Sequence, residues 1–271
     1  MFTIKQRRCQ RLSKLIEDSS YGERRMNDSI KRAKDLVEQA QRILVITGAG
    51  VSAESGVPTF RDATGLWKKI DPYKVATPEA FEDDPEFVWK WYDERRTQLK
   101  DCQPNPGHYA VAAMEKAKQD GFFLLTQNVD NLHERAGSLR LAHIHGKIYE
   151  VRCTKEYTIR EDFQTPLPEL PPKCPHCGAL ERPNIVWFGE QIDTDAVSQT
   201  ESFISKGDMD LVFVIGTEAS FGYIMDWANR SEGSNGKLIE INPGTTSLTA
   251  SADIHLSGKS GEILPQLTMN L

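Results

Sequence analysis

The run RILVIT at residues 42 to 47 ends directly on Gly-Ala-Gly-Val-Ser-Ala, and this junction constrains the fold more than any other stretch of the chain. A near-continuous apolar run is the kind of strand buried on both faces, which requires helices above and below a parallel sheet. Gly48 and Gly50 followed by Ala53 fit the G-x-G-x-x-[GA] pattern. There the first glycine permits a tight turn, the second lets backbone approach a pyrophosphate, and the small third residue lets helix and strand pack closely. Similar apolar runs recur as FFLLTQ (122 to 127), LVFVIG (211 to 216) and KLIEIN (237 to 242), with room for helices between them. The pattern predicts an α/β fold with a Rossmann-like, doubly wound parallel sheet. An ordinary dehydrogenase would place an acidic ribose ligand at the end of a second strand about 20 residues on. Here that stretch is VPTFRDATGLW, turn-forming and polar, and the next strand begins only near Phe122. A loop covering the cofactor, followed by helices, is expected in the gap, because TPEAFEDDPEFVWKWYDERRTQL carries aromatics at helical intervals.

A second insertion, from about residue 150 to 183, is rich in proline and carries Cys174-Pro-His-Cys177 near its end, with Cys153 upstream. Its apolar content is too low for an independent core, so a metal staple is expected to stabilise it. Together with residues 61 to 105 it is read as a small inserted domain facing the sheet across a cleft. The odd count of five cysteines, with Cys9 and Cys102 isolated, argues for metal ligation over a disulfide framework. A net charge of −6 disfavours nucleic acid and anionic membranes as partners. No apolar run reaches the roughly 20 residues of a membrane helix, and no signal-peptide core follows the start. A cytoplasmic protein is expected. The basic segment holding Lys5, Arg7, Arg8, Arg11 and Lys14 has the look of a mitochondrial transit segment, or of a solvated extension. Residues 1 to 35 are read as an N-terminal extension ending in an amphipathic helix with Ile30, Leu36 and Val37 on one face, residues 36 to 265 as the main domain, and 266 to 271 as a tail.

Seven motifs in order, GAGVSAESGVPTFRD, TQNVDNLHERAG, HIHG, CPHC, PNIVWFGE, VIGTEAS and EINPG, together resemble the sirtuins, NAD-dependent protein-lysine deacylases, over roughly residues 41 to 265. The resemblance implies that Gly48, Ala49 and Gly50 cradle the NAD pyrophosphate with Ser52 and Glu54 nearby. It also implies that Phe60, Arg61 and Trp67 cover the cofactor, and that Gln127, Asn128 and Asp130 position the ribose and carboxamide. Gly216, Thr217, Asn242 and Ser260 complete the implied cofactor set. Glu218 stands where the family more usually has a small hydroxyl residue. His145 is the implied general base, assigned over His143 by the following Gly146; the alternation in LAHIHG would point both rings to one face of a strand. Asn128 and Asp130 are equally the residues of a turn and helix N-cap.

The implied reaction consumes NAD. The acyl oxygen of a modified lysine displaces nicotinamide from the ribose, His145 deprotonates a ribose hydroxyl that attacks the resulting imidate, and water releases lysine and O-acyl-ADP-ribose. Val186, Trp187, Phe188 and Gly189 resemble the segment that pairs with the main chain of an extended acylated peptide, although IVWF also fits a core strand. Tyr92 and Arg95, three apart on a predicted helix, can converge on a carboxylate. The sirtuin branch with this pair prefers succinyl, malonyl and glutaryl groups, and some members also remove acetyl; a pairing of Arg95 with Glu94 or Asp93 is the competing expectation. A plain deacetylase, an ADP-ribosyltransferase and a non-catalytic NAD or ADP-ribose sensor are the alternatives on this scaffold. The family's zinc site has two C-x-x-C pairs. Here Cys174 and Cys177 form one, but the other reads Cys153-Thr-Lys-Glu156, which leaves Glu156, His176 and a water as candidates for the fourth zinc ligand. Oligomeric state is not legible.

Overall fold

The computed structural model describes residues 22, 24–59, 70–230 and 235–271. Helix α1 (24–39) leads into β1 (Ile43–Thr47), whose five residues are all buried. A short helix α2 (Ala49–Ala53) follows the glycine turn. Helices α3 (Pro78–Asp83), α4 (Pro85–Lys100) and α5 (Pro106–Lys118) then fill the expected gap before β2 (Phe122–Thr126). Each of the three starts on a side-chain cap, Thr77, Asp84 or Asn105, followed by proline, so their starts are written locally.

After α6 (Leu132–Arg135) come β3 (Leu141–His143), β4 (Gly146–Cys153), β5 (Ile159–Glu161) and β6 (Glu181–Ile185). The chain continues with α7 (Thr194–Ile204), β7 (Leu211–Ile215), α8 (Gly222–Asn229), β8 (Lys237–Ile241), β9 (Ile254–Leu256) and α9 (Ser260–Thr268). Six strands form a parallel sheet in the order β3-β2-β1-β7-β8-β9. From β1 the chain winds outward through β2 to β3, then returns to β7 on β1's other side. The strand order therefore switches direction between β1 and β7, where a crevice opens at the carboxyl ends. One apolar cluster, including Val45, Leu124 and Phe213, lies on one face of the sheet, and a second, including Ile46, Leu125 and Val214, on the other.

The insertion forms a separate antiparallel sheet, β5-β4-β6. It packs with α3 and α4 around Trp89, Tyr92, Val151 and Trp187. Helix α1 runs through the boundary expected at residue 35, and Ala33 and Val37 on it are fully buried in the main core. Likewise Leu267 in α9 is fully buried, beyond the expected start of a tail. Among the described residues no helix is long and apolar enough to cross a membrane. The basic segment at residues 1 to 21 lies outside them.

Candidate active site

A cavity of about 860 Å³ occupies the crevice between the two sheets, within the size range of small-molecule and cofactor sites. Apart from Ser52 and the three cysteines, every expected site residue that the structure describes lines it. Phe60, Arg61 and Trp67 lie outside the described residues.

The glycine turn is shaped first by the chain itself. A Cβ on Gly50 would come 2.7 Å from the Cα of Gly216, and one on Gly48 2.6 Å from the Cβ of Thr217. The Gly48 and Gly50 amides donate to the carbonyls of Ile215 and Gly216 at 3.0 and 2.8 Å. Two of the three amides expected to cradle a pyrophosphate are therefore spent on the turn after β7. Gly216 itself has φ of 62°, a left-handed conformation suited to glycine.

Ser52 is fully buried, behind the cavity wall. Its hydroxyl donates to Asp130 Oδ2 at 2.9 Å and accepts from Asn128 Nδ2 at 3.1 Å. His108 Nδ1 accepts the Asn105 amide at 3.2 Å, so its proton sits on Nε2, 3.3 Å from the same Ser52 oxygen. Asp130 Oδ1 also accepts the Leu132 amide at 3.0 Å, so a turn role and a place in the cavity wall coexist, while the N-cap position of α6 falls to Asn131. Burial raises the Asp130 carboxyl above its ordinary range, against the Leu132 and Ser52 hydrogen bonds. Glu54 and Ser260 face each other: Glu54 Oε2 accepts the Gly261 amide at 2.8 Å and lies 3.4 Å from Ser260 Oγ. Asn242, at the end of β8, donates to the Thr217 carbonyl at 3.1 Å.

His145 stands where the chain crosses from one sheet to the other. Strand β3 ends at His143, and β4 starts at Gly146 with φ of 78°. A Cβ on Gly146 would sit 2.1 Å from the carbonyl oxygen of Asn184, so only glycine permits β4 to meet β6 here. The two histidines are therefore not paired on one strand face. His143 bonds Glu134 and the Asn128 carbonyl, each at 2.8 Å. His145 bonds the Gln127 carbonyl at 3.0 Å and the Tyr223 hydroxyl at 2.7 Å. Burial is the main cause that lowers the His145 pKa, and the Gln127 carbonyl opposes it. The neutral ring a general base requires is thus favoured at neutral pH.

On the far wall, α4 supplies Tyr92 and Arg95. Tyr92 is buried and accepts the Trp187 indole N–H at 2.9 Å. The Arg95 side chain is 16% exposed, lies 5.2 Å from the Trp91 ring centroid, and has Glu94 as its carboxylate neighbour at 3.7 Å, beyond hydrogen-bond range. Its Nε is buried without a partner among the described residues. Trp187 is held from behind by Arg182, 3.4 Å from its ring centroid, and by Glu190, which accepts the Trp187 amide at 2.8 Å and two Arg182 bonds at 2.7 and 2.9 Å. The segment expected to pair with a peptide, or to form a core strand, lies just beyond β6, which stops at Ile185, and it lines the cavity. The Val186 and Phe188 amides already donate to the carbonyls of His145 and Ala76, at 3.0 and 2.9 Å.

Cys153, Glu156, Cys174 and Cys177 form a separate cluster whose ligand atoms all lie within 4.8 Å of one another. Cys153 and Cys177 sulfurs are 3.5 Å apart, too far for a disulfide of about 2.05 Å. That spacing is close to the edge of about 3.8 Å that a tetrahedron of zinc–sulfur bonds of about 2.3 Å would have. The Glu156 and Lys155 amides point at Cys153 Sγ, at 3.3 and 3.4 Å, and the Glu156 amide is the main cause that lowers the thiol's pKa. The cluster fits structural zinc. His176 is not part of it.

The Sir2 family model matches residues 48–221. The chain belongs to the Sir2 family. NAD-dependent protein deacylases of Aquifex aeolicus and Leptospira interrogans are 43% and 44% identical to it over 218 and 248 residues. The first alignment covers 80% of this chain and 90% of its relative, the second 89% and 96%. A solved Sir2 homologue in complex with NAD shares 40% identity and a TM-score of 0.81, over 88% of this chain and 92% of that one. A homologue bound to ADP-ribose aligns with a TM-score of 0.82.

Two features of this Sir2 site escaped the motifs. Tyr223 touches His145 from outside VIGTEAS, and Cys102, isolated in sequence, lines the cavity. Neither carries a local signal, since each reaches the site only through the packing of its helix or turn.

Proposed function

We propose that this chain is an NAD-dependent protein-lysine deacylase that prefers acidic acyl groups, succinyl, malonyl or glutaryl, with acetyl as a lesser substrate. The observation that carries the acyl preference is Arg95, a largely enclosed guanidinium in the wall of the His145 cavity with no carboxylate in hydrogen-bond range among the described residues. Glu94, 69% exposed and 3.7 Å away, compensates this enclosed cation only in part, and a ligand carboxylate would add charge-assisted bonds. Tyr92, whose oxygen is already oriented by Trp187, would donate its own O–H to the same carboxylate.

The cofactor binds along the carboxyl edge of the parallel sheet, where Gly48, Ala49, Gly50, Gly216 and Thr217 meet its phosphates and Asn242 its adenosine ribose. NAD supplies a ribose carbon that becomes electrophilic as nicotinamide leaves. Asn128 and Asp130, fixed through Ser52, orient that end of the ligand, and His145 takes a ribose hydroxyl proton on Nε2. NAD, acyl-lysine and water thus give nicotinamide, lysine and O-acyl-ADP-ribose. An extended peptide would lie across residues 186 to 189, bonded by main-chain groups that the fold has not already used. Glu156 would be the fourth zinc ligand, with a purely structural role.

The test is to incubate the protein with NAD and matched acetyl-, succinyl-, malonyl- and glutaryl-lysine peptides, following nicotinamide and free lysine. Faster turnover of the acidic acyl peptides is expected. Turnover of acetyl-lysine alone would reject the preference, and cofactor reduction with no change in the peptide would reject the activity.

A further inference from the structure

The hydrogen bonds of His145 fix where its lone pair lies. A carbonyl oxygen only accepts, so the contact of Nδ1 with Gln127 places the ring proton on Nδ1 and leaves Nε2 as the acceptor. The Tyr223 hydroxyl, 2.7 Å from Nε2, is then the donor. Tyr223 belongs to the first turn of α8 and is braced by other rings. It stacks on Phe221 with centroids 5.4 Å apart and planes 11° apart, and meets Trp227 edge-on at 5.8 Å. The Trp227 indole is itself anchored on Glu201 at 2.8 Å. Phe221 also meets the His145 ring edge-on at 5.8 Å. Both His145 and Tyr223 face the cavity.

We propose that Tyr223 is a positioning residue for His145: its hydroxyl holds the ring with Nε2 aimed into the cavity, and the reacting ribose hydroxyl displaces it. The proposal rests on the deacylase reading above. In the step concerned the ribose O–H bond breaks and its proton passes to Nε2, while the ribose oxygen bonds to the imidate carbon and the π pair of that carbon's C=N bond moves onto the lysine nitrogen. The phenol keeps its own proton throughout. Asp130, Arg95, Glu190 and Glu218 share the cavity wall, yet the causes that set the state of the ring are burial and the Gln127 carbonyl. The Tyr223 hydroxyl is therefore the side chain best placed to govern where the base points.

Tyr223→Phe in the full chain separates this role from a structural one, because nicotinamide leaves before the base acts. Exchange of labelled nicotinamide into NAD, in the presence of succinyl-lysine peptide, reports the earlier step. Deacylation turnover is expected to fall about three- to tenfold, because a ring no longer held by one neutral hydrogen bond meets the incoming ribose hydroxyl in the productive orientation correspondingly less often. Exchange should persist, so that the ratio of exchange to deacylation rises by the same factor. A parallel fall in both, or no change in either, would overturn the proposal. A second readout needs no activity: in the ligand-free protein the ring ¹⁵N resonance of His145 Nε2 should move downfield in the variant as its donor is lost. An unmoved resonance would show that the hydroxyl does not occupy Nε2. Should the wild type deacylate no peptide with NAD, the deacylase reading fails, and the resonance still decides the histidine–tyrosine pair.

Discussion

The two sheets meet within a few residues of His145 but are stabilised in opposite ways. In the parallel sheet, all five residues of β1, of β2 and of β7 are buried, and all but Thr47 and Thr126 are apolar. In these three strands polar side chains are confined to the carboxyl edge, and the sheet's buried charge lies towards its far side, where Glu240 of β8 bonds His255 of β9 at 2.7 Å. The small sheet instead encloses charge: Arg96 is fully buried against Asp162, Glu181 is 2% exposed beside Arg160, and Arg182 is paired with Glu190. Apolar packing tolerates substitutions that conserve volume. A buried ion pair stripped of one partner leaves a charge whose burial costs several kcal/mol. The wall of the cavity built on the parallel sheet thus rests on a forgiving platform, whereas the wall that holds Tyr92 and Arg95 rests on a network in which a change at Arg182 or Glu190 reaches Tyr92 through Trp187.

The difference can be broken most strongly at the metal. Stripping zinc with a chelator, or making Cys174→Ser, should cost the small sheet several kcal/mol of local stability. Hydrogen exchange would then accelerate in β4 to β6 while amides of β1, β2 and β7 stay protected; uniform acceleration would show that the two sheets unfold as one unit. At the junction, His145→Asn should lower deacylation by about 10²- to 10⁴-fold, the usual contribution of a positioned base, with circular dichroism unchanged.

Acid should attack the parallel side instead. Burial lowers His108 to about 4, and His133, also buried, well below its ordinary value. The unfolded chain takes up these protons near pH 6.5 and the folded protein does not. Stability from these groups is therefore complete above about pH 6.5 and falls as the pH drops towards 4, by on the order of 3 kcal/mol for His108. Urea titrations of wild type and His108→Asn across that range would show a flatter dependence in the variant. Arg95→Met probes the acyl wall, with an expected loss of desuccinylation of about ten- to a hundredfold, the value of a hydrogen bond to charge, and little loss of deacetylation; equal losses would remove Arg95 from acyl recognition. The smallest effect expected is from Glu156→Cys, which should tighten zinc retention in a competition assay with a chromogenic chelator while leaving turnover near wild type.

Much of the fold is legible in the residues alone. The four apolar runs are the central strands because apolar periodicity is a local property, and helices α3 and α4 carry their caps in sequence. Less legible are the reasons behind the motif residues. Gly48 and Gly50 look like cofactor glycines, and their immediate constraint is Gly216, far along the chain. Ser52 looks like a ligand contact and instead holds Asn128 and Asp130 from behind. The segment after β6 looks like an open edge, yet several of its amides are already bonded.

By itself the sequence determined the parallel sheet, the glycine turn, the order of the family motifs and the three cysteines of the metal cluster, because each is encoded within a short span. Tertiary structure alone decided that Tyr223 meets His145, that Arg95 has no carboxylate nearer than Glu94 among the described residues, and that Glu156 joins the cysteines while His176 does not. These depend on distances between segments far apart in the chain, which follow only from how the two sheets and their helices pack.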